Sequence, residues 1–186
     1  MSATTYYYSP IGWIEIQASY DAVTSLVFCD ERKKEECNDY LQQTCKSDYT
    51  ILTECVRQLD EYFSGQLTKF DLPVSQRGTD FQQNVWNALM GIPFGKTVSY
   101  GDVAKMLHHP QAVRAVGAAN SKNRVWLVVP CHRVIGANGS LTGYAGGIER
   151  KKWLLVHESN IGSSFKLDTQ NLKVQTSYLK PHSLTI

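Results

Sequence analysis

Long apolar runs are missing from this 186-residue chain. No stretch approaches the roughly 18 consecutive apolar residues that a spanning helix needs, so no membrane partner is expected. Met1-Ser2-Ala3-Thr4-Thr5, followed by three tyrosines, lacks the basic start and apolar core of a secretory signal. Cysteine is sparse and odd in number: five residues, at 29, 37, 45, 55 and 131, with no C-x-x-C pair. That excludes a disulfide framework and makes a reducing cytoplasm the expected home, beside the nucleoid in a bacterium. All five histidines lie at or beyond His108, whereas four cysteines precede residue 56, so no zinc-ligand spacing exists. Neither a metal nor a cofactor is expected, and no internal repeat is present. Net charge is also small, at +2.

That small total conceals an asymmetry. Residues 1–76 carry 6 Lys/Arg against 12 Asp/Glu, and residues 77–160 carry 10 against 4. A basic segment joined to an acidic one points to a polyanionic partner for the second half. The length fits one large domain or two small ones, and a hydrophobic content of 42% is enough for a packed core.

In the first half, Tyr6–Tyr8, Trp13–Ala18 and Val23–Phe28 read as strands. Turn chemistry lies at Ser9-Pro10-Ile11-Gly12 and Tyr20-Asp21. A polar stretch, Asp30–Asp48, precedes Ile51, Leu52, Cys55, Leu59 and Tyr62 at helical spacing, with Gly65 as the stop. Nothing here looks catalytic. Leu72-Pro73 to Gly78-Thr79 reads as a linker. Beyond it, Phe81, Val85, Ala88 and Leu89 mark a helix ending before Gly91 and Pro93. Ser99 is placed to cap a second helix, Tyr100 to about Leu107. His108-His109-Pro110 turns into a third, Gln111 to about Ser121, with Val113, Val116 and Ala119 facing inward. Ala112, Ala115, Gly117 and Ala118 leave little bulk around Arg114. Two short helices and a tight turn make a helix-turn-helix candidate. Asn138-Gly139 predicts a hairpin between Val134-Ile135 and Leu141-Thr142, the position of a wing. A last helix runs over Ile148–Glu158, with apolar Trp153, Leu154 and Val156, and 163–186 reads as a loosely held tail.

The chemistry concentrates at Pro130-Cys131-His132-Arg133. The preceding run, Val125–Val129, reads as a buried strand that stops at the proline and presents the next side chains at a sheet end. Those side chains are a thiol and an imidazole. A thiol is a strong nucleophile only as the thiolate, and an adjacent base is the usual way to obtain it.

Six blocks and a single asparagine then follow a known order. They are Phe81-Gln82-x-x-Val85-Trp86, Ile92-Pro93-Phe94-Gly95-Lys96-Thr97-Val98-Ser99-Tyr100-Gly101, and Arg114-Ala115-Val116-Gly117-x-Ala119 with Asn123 eight residues before Cys131. After these come Pro130-Cys131-His132-Arg133-Val134-Ile135-Gly136, Gly143-Tyr144-x-Gly146-Gly147, and Trp153-Leu154-Leu155-x-His157-Glu158. This pattern resembles the O6-alkylguanine-DNA alkyltransferases, also called methylated-DNA–protein-cysteine methyltransferases. The resemblance implies an α/β N-terminal domain over 1–76, ribonuclease-H-like, with a small antiparallel sheet and a helix. A mostly α, winged-helix C-terminal domain over 77–162 and a flexible tail over 163–186 complete the expected organisation.

The resemblance also implies the reaction. An alkyl group would pass once, irreversibly, from O6 of guanine in DNA to Cys131. His132 would take the thiol proton through a water, and Glu158 would support His132. Tyr100 would donate toward guanine N3, and Asn123 would tie the turns around the site. The partner would be double-stranded DNA carrying O6-alkylguanine, with O4-alkylthymine a second possible lesion, and the protein a monomer. Reaching O6 requires extruding the nucleotide. Arg114 would fill the vacated space, on a helix lying in the minor groove, which carries little sequence information. Tyr100, Gly101, His109 and Ala137 would lie near the DNA backbone. Cys131 and Val134, with Tyr144, Ala145 and Gly146, would surround the flipped base. Ala145 stands where some members have serine, leaving only its backbone N–H for the O6 region. The N-terminal metal ligands of some relatives are absent from this sequence.

Three other readings compete. A lesion-binding module of this fold would lack the reactive cysteine, which is present. A plain helix-turn-helix regulator would not need Tyr100, Cys131-His132 and Glu158 at these spacings. A cysteine hydrolase normally has its Cys and His far apart in sequence.

Overall fold

The computed structural model of the chain describes residues 2–29 and 50–161. The polar stretch Asp30–Asp48, with Cys37 and Cys45, and the tail 163–186 lie outside the described residues. The first half builds a three-stranded antiparallel sheet, β1 (Ala3–Ser9), β2 (Gly12–Ala18) and β3 (Val23–Phe28), in the order β1-β2-β3. Ser9 pairs with Gly12 across the first hairpin, whose tight turn uses Gly12 at φ +112°. Alternation does the rest: Ile14, Ile16 and Ala18 are fully buried, and their neighbours are half-buried. Helix α1 (Thr50–Phe63) lays Leu52, Cys55, Leu59 and Tyr62 into the core at the spacing of one helical face. Gly65, at φ +80°, follows its end.

The second half is helical. Thr79 opens α2 (Asp80–Met90) with a capping box, its hydroxyl accepting from Gln82 N and the Gln82 side chain from Thr79 N. Ser99 and Asp102 make the same reciprocal arrangement for α3 (Tyr100–Met106). Helix α4 (Val113–Ser121) begins two residues later than the sequence reading, because Ala112 N–H closes a turn onto the His109 carbonyl at 2.8 Å. Val113, expected inside, is 39% exposed, whereas Val116 and Ala119 are buried. A first-turn residue at this start points away from the α2 and α3 contacts. The last helix, α5, spans Ile148–Ile161.

Two expectations about strands are corrected. The segment Val125–Val129 is not a strand. Only Val125 bridges Leu26 on β3, after which the chain turns through Leu127 at φ +69°. The cause is Asn123, whose side-chain amide donates to Val129 O at 2.9 Å and accepts from Val125 N–H at 3.0 Å. One side chain thus takes two backbone groups that a sheet would have used. The hairpin at Asn138-Gly139 is also incomplete. The turn exists, with Gly139 at φ +81° and Gly136 N–H bonded to Ser140 O. However, β5 (Val134–Ile135) pairs in parallel with β4 (Val98–Ser99), and Leu141-Thr142 forms no returning strand.

The two halves share hydrogen bonds along β3. Leu26 N–H donates to Arg124 O and Trp126 N–H to Leu26 O, while Val23 and Ser75 bond around Pro73. The loop leading to Cys131 is therefore anchored on the sheet of the first half.

Candidate active site

Cys131, His132 and Arg133 form one 3-10 turn between the anchored loop and β5. Pro130 gives that turn a fixed entry, and Cys131 N–H donates to Val129 O at 2.8 Å. The three side chains are buried, with Cys131 only 2% exposed.

Glu158, fully buried on α5, organises the interior. Its Oε1 accepts from Tyr62 Oη at 2.8 Å, His132 Nε2 at 2.9 Å and Arg133 Nη2 at 2.9 Å. Its Oε2 accepts from Gly95 N–H at 3.0 Å and Arg133 Nε at 2.9 Å. Burial alone would raise this carboxyl. The His132 and Arg133 partners outweigh that and hold it well below the usual carboxylate range. An ionised carboxylate only accepts hydrogen bonds, so the hydrogen in the His132–Glu158 contact belongs to Nε2. Burial lowers the His132 pKa despite Glu158, and the neutral ring therefore carries its lone pair on Nδ1. Nδ1 is buried without a protein partner. A base is thus aimed into the interior beside the thiol's own turn.

The thiol itself differs from a pre-ionised nucleophile. Burial pushes it up to about 11, although Asn123 and the Lys151 ammonium pull it down. At neutral pH the resting pair is thiol and imidazole. Lys151 is fully buried on α5, donating to Val134 O at 2.6 Å and Thr142 O at 2.9 Å. Burial brings its pKa down to about 8, opposed by Cys131.

Tyr100 opens α3, and its hydroxyl donates to Thr142 O at 3.3 Å. Burial raises its pKa, so it remains a donor. Tyr144 packs on Trp126 at 5.6 Å between ring centroids, and its hydroxyl is buried without a protein partner. Gly146 is buried where a Cβ would lie 2.7 Å from Tyr144 Cε1 and 3.0 Å from Phe28 Cδ2, so a side chain there would displace the rings. Val134 is buried and Ala145 exposed. The structure therefore gathers Cys131, His132, Glu158, Asn123, Tyr100, Val134, Tyr144 and Gly146 around one interior. Arg114, His109 and Ala137 are exposed, and Gly101 is half-buried at the start of α3. On α4, a Cβ at Gly117 would reach the Tyr100 ring at 3.8 Å, so the two helices meet closely beside the site.

Sequence reasoning missed Lys151, Tyr62 and the role of Arg133. For α5 the signal was available. Lys151, Leu154, Leu155 and Glu158 fall at i, i+3, i+4 and i+7, and all four are buried. Two charges inside an apolar stripe mark a polar interior site. Tyr62 left no signal, because its hydroxyl meets Glu158 across 96 residues of sequence.

Fold and site together define a cysteine–histidine–glutamate centre in a helical second half, in a protein with a small antiparallel-sheet first half. Residues 80–160 match the DNA-binding domain model of 6-O-methylguanine DNA methyltransferase, and residues 3–76 match the ribonuclease-like domain model. The methylated-DNA–protein-cysteine methyltransferase of Methanosarcina acetivorans is 44% identical over 152 residues, covering 82% of this chain and 95% of that one. The Mycobacterium tuberculosis counterpart is 45% identical over 152 residues, covering 82% and 89%. The crystal structure of the latter organism's O6-methylguanine methyltransferase aligns with a TM-score of 0.72 at 42% identity, covering 86% and 94%. A structure of the M. tuberculosis protein in complex with DNA aligns at 0.73 and 42%, covering 85% and 93%. The chain belongs to the methylated-DNA–protein-cysteine methyltransferase family.

Proposed function

We propose that this protein repairs duplex DNA by moving an alkyl group from O6 of guanine to Sγ of Cys131, once per chain. In this displacement the S–C bond forms as the C–O6 bond breaks. The thiol proton goes to His132, and Tyr100 supplies a proton toward guanine N3, so the base departs neutral. Glu158 supports the imidazolium that results. A saturated carbon has no carbonyl oxygen to stabilise, so a desolvated sulfur and a protonated leaving group are what the reaction needs. The single observation that carries this reading is His132, on the same 3-10 turn as Cys131, with Nε2 on Glu158 and Nδ1 buried without a protein partner.

In this reading the first domain (1–76) is the ribonuclease-H-like partner of a winged-helix domain (77–162). The protein acts as a monomer and α4 enters the minor groove. Arg114 takes the space of the extruded nucleotide, and Gly101, His109 and Ala137 face the sugar-phosphate chain. Val134, Tyr144, Ala145 and Gly146 line the pocket for the everted base. The basic balance of the second half supplies salt-dependent affinity for any sequence.

Intact-protein mass spectrometry after incubation with an O6-methylguanine duplex tests the reading. One added methyl, mapped to Cys131 and not increasing with excess DNA, is the expected result. Cys131→Ala should retain DNA binding and gain nothing. Unmodified wild-type protein, or many repaired lesions per chain, would reject the proposal.

A further inference from the structure

The Glu158 carboxylate is shared between the two halves of the protein. Tyr62 lies on α1 in the first half, is 1% exposed, and donates to the same oxygen, Oε1, that holds His132 Nε2. We propose that Tyr62 is a positioning residue for the transfer: its hydroxyl occupies part of the Glu158 charge and thereby sets how basic His132 is. This rests on the alkyl-transfer reading above.

The geometry makes the hydroxyl more than a filler. The Tyr62 ring is already held by Phe63, Phe70 and Phe94 at 5.2, 5.2 and 6.0 Å between centroids. His157 adds a ring contact at 5.4 Å and a hydrogen bond from Nε2 to Tyr62 O at 2.9 Å. An apolar ring would satisfy that packing, so the hydroxyl's partner is its distinguishing feature. Burial and Glu158 raise its pKa, so the hydroxyl stays protonated and donates throughout the neutral range. The other groups facing the carboxylate and imidazole are Arg133 from the 3-10 turn and Lys151 from α5. Tyr144 also acts on Tyr62, and Cys131 acts on Tyr144 in turn.

The sign follows from charge. A donor on Oε1 withdraws negative charge that would otherwise stabilise a protonated His132. Removing it makes the imidazolium more favourable, so the neutral base is lost at a higher pH.

Single-turnover alkyl uptake from a saturating O6-methylguanine duplex, followed across pH, reads this directly. In Tyr62→Phe the midpoint of the acid limb should move upward by roughly half a pH unit. Difluorotyrosine placed site-specifically at position 62 keeps the ring and strengthens the donor, and should move the midpoint downward. The ¹⁵N titration of the His132 ring should shift in the same two directions without turnover. Coincident profiles in folded variants, or a shift of opposite sign, would overturn the proposal. If wild-type protein takes up no alkyl group, the functional reading fails instead, and the ring titration still decides the role of Tyr62.

Discussion

Lys151 shows what a single side chain contributes here. Its ammonium is fully buried, bonded to the carbonyls of Val134 and Thr142, and close enough to Cys131 to affect its acidity. A buried ammonium is costly unless paired, and here the two carbonyls and the developing thiolate compensate it. Lys151→Met retains most of the stem's volume and removes the donor. Both carbonyls then lose a charged partner, which should cost about 1–3 kcal/mol of stability in chemical denaturation. The thiol should also become harder to ionise, and one unit of pKa corresponds to roughly a tenfold loss in transfer rate at neutral pH. A variant that melts earlier but transfers at the wild-type rate would limit Lys151 to a structural part. Lys151→Arg is the stricter comparison, since a planar guanidinium keeps the charge but not the compact geometry.

At the level of elements, α4 is the piece whose surface should matter without affecting the chemistry. Arg114 is exposed in its first turn, between small residues, whereas Cys131 and His132 are buried in a separate turn. Arg114→Ala should therefore slow repair in duplex DNA by ten-fold or more, on the order of the few kcal/mol involved in base extrusion. Reaction with free O6-alkylguanine base should change little. Parallel rate measurements on the two substrates check this, and equal losses would contradict a role in extrusion. Much of this architecture was legible. The spacing of Phe81, Val85, Ala88 and Leu89 announced α2, Ser99 as a cap announced α3, and the pattern of Trp13–Ala18 announced β2. The Pro130–Arg133 block located the buried turn that carries the thiol and the imidazole. The misread elements have two physical causes: a side chain that took backbone hydrogen bonds, and a strand pairing between segments far apart in sequence. Asn123 curled Val125–Val129 out of a strand, and Val98-Ser99 captured Val134-Ile135 from its expected hairpin.

For the molecule as a whole, Glu158 is the junction. Five hydrogen bonds tie α5 to Tyr62 in the first half, to Gly95 before α3, and to His132 and Arg133 in the 3-10 turn. Stability should therefore follow the protonation of this cluster. The carboxyl is depressed in the folded state, so its contribution is complete above the ordinary value of 4.5 and is lost as pH falls through the lower folded value. The His132 ring is also depressed, from 6.5, because burial disfavours its charge. Below that pH the unfolded chain binds a proton that the folded chain refuses, so stability starts to fall there and falls more steeply below 4.5. Urea unfolding at stepped pH should show both onsets. Glu158→Gln leaves Arg133 without its anionic partner and should cost about 3–5 kcal/mol at neutral pH. It should also remove the steeper acid phase, because no carboxyl remains at that position to protonate. Persistence of that phase in a folded Glu158→Gln protein would assign acid sensitivity to other carboxylates and remove Glu158 as the junction.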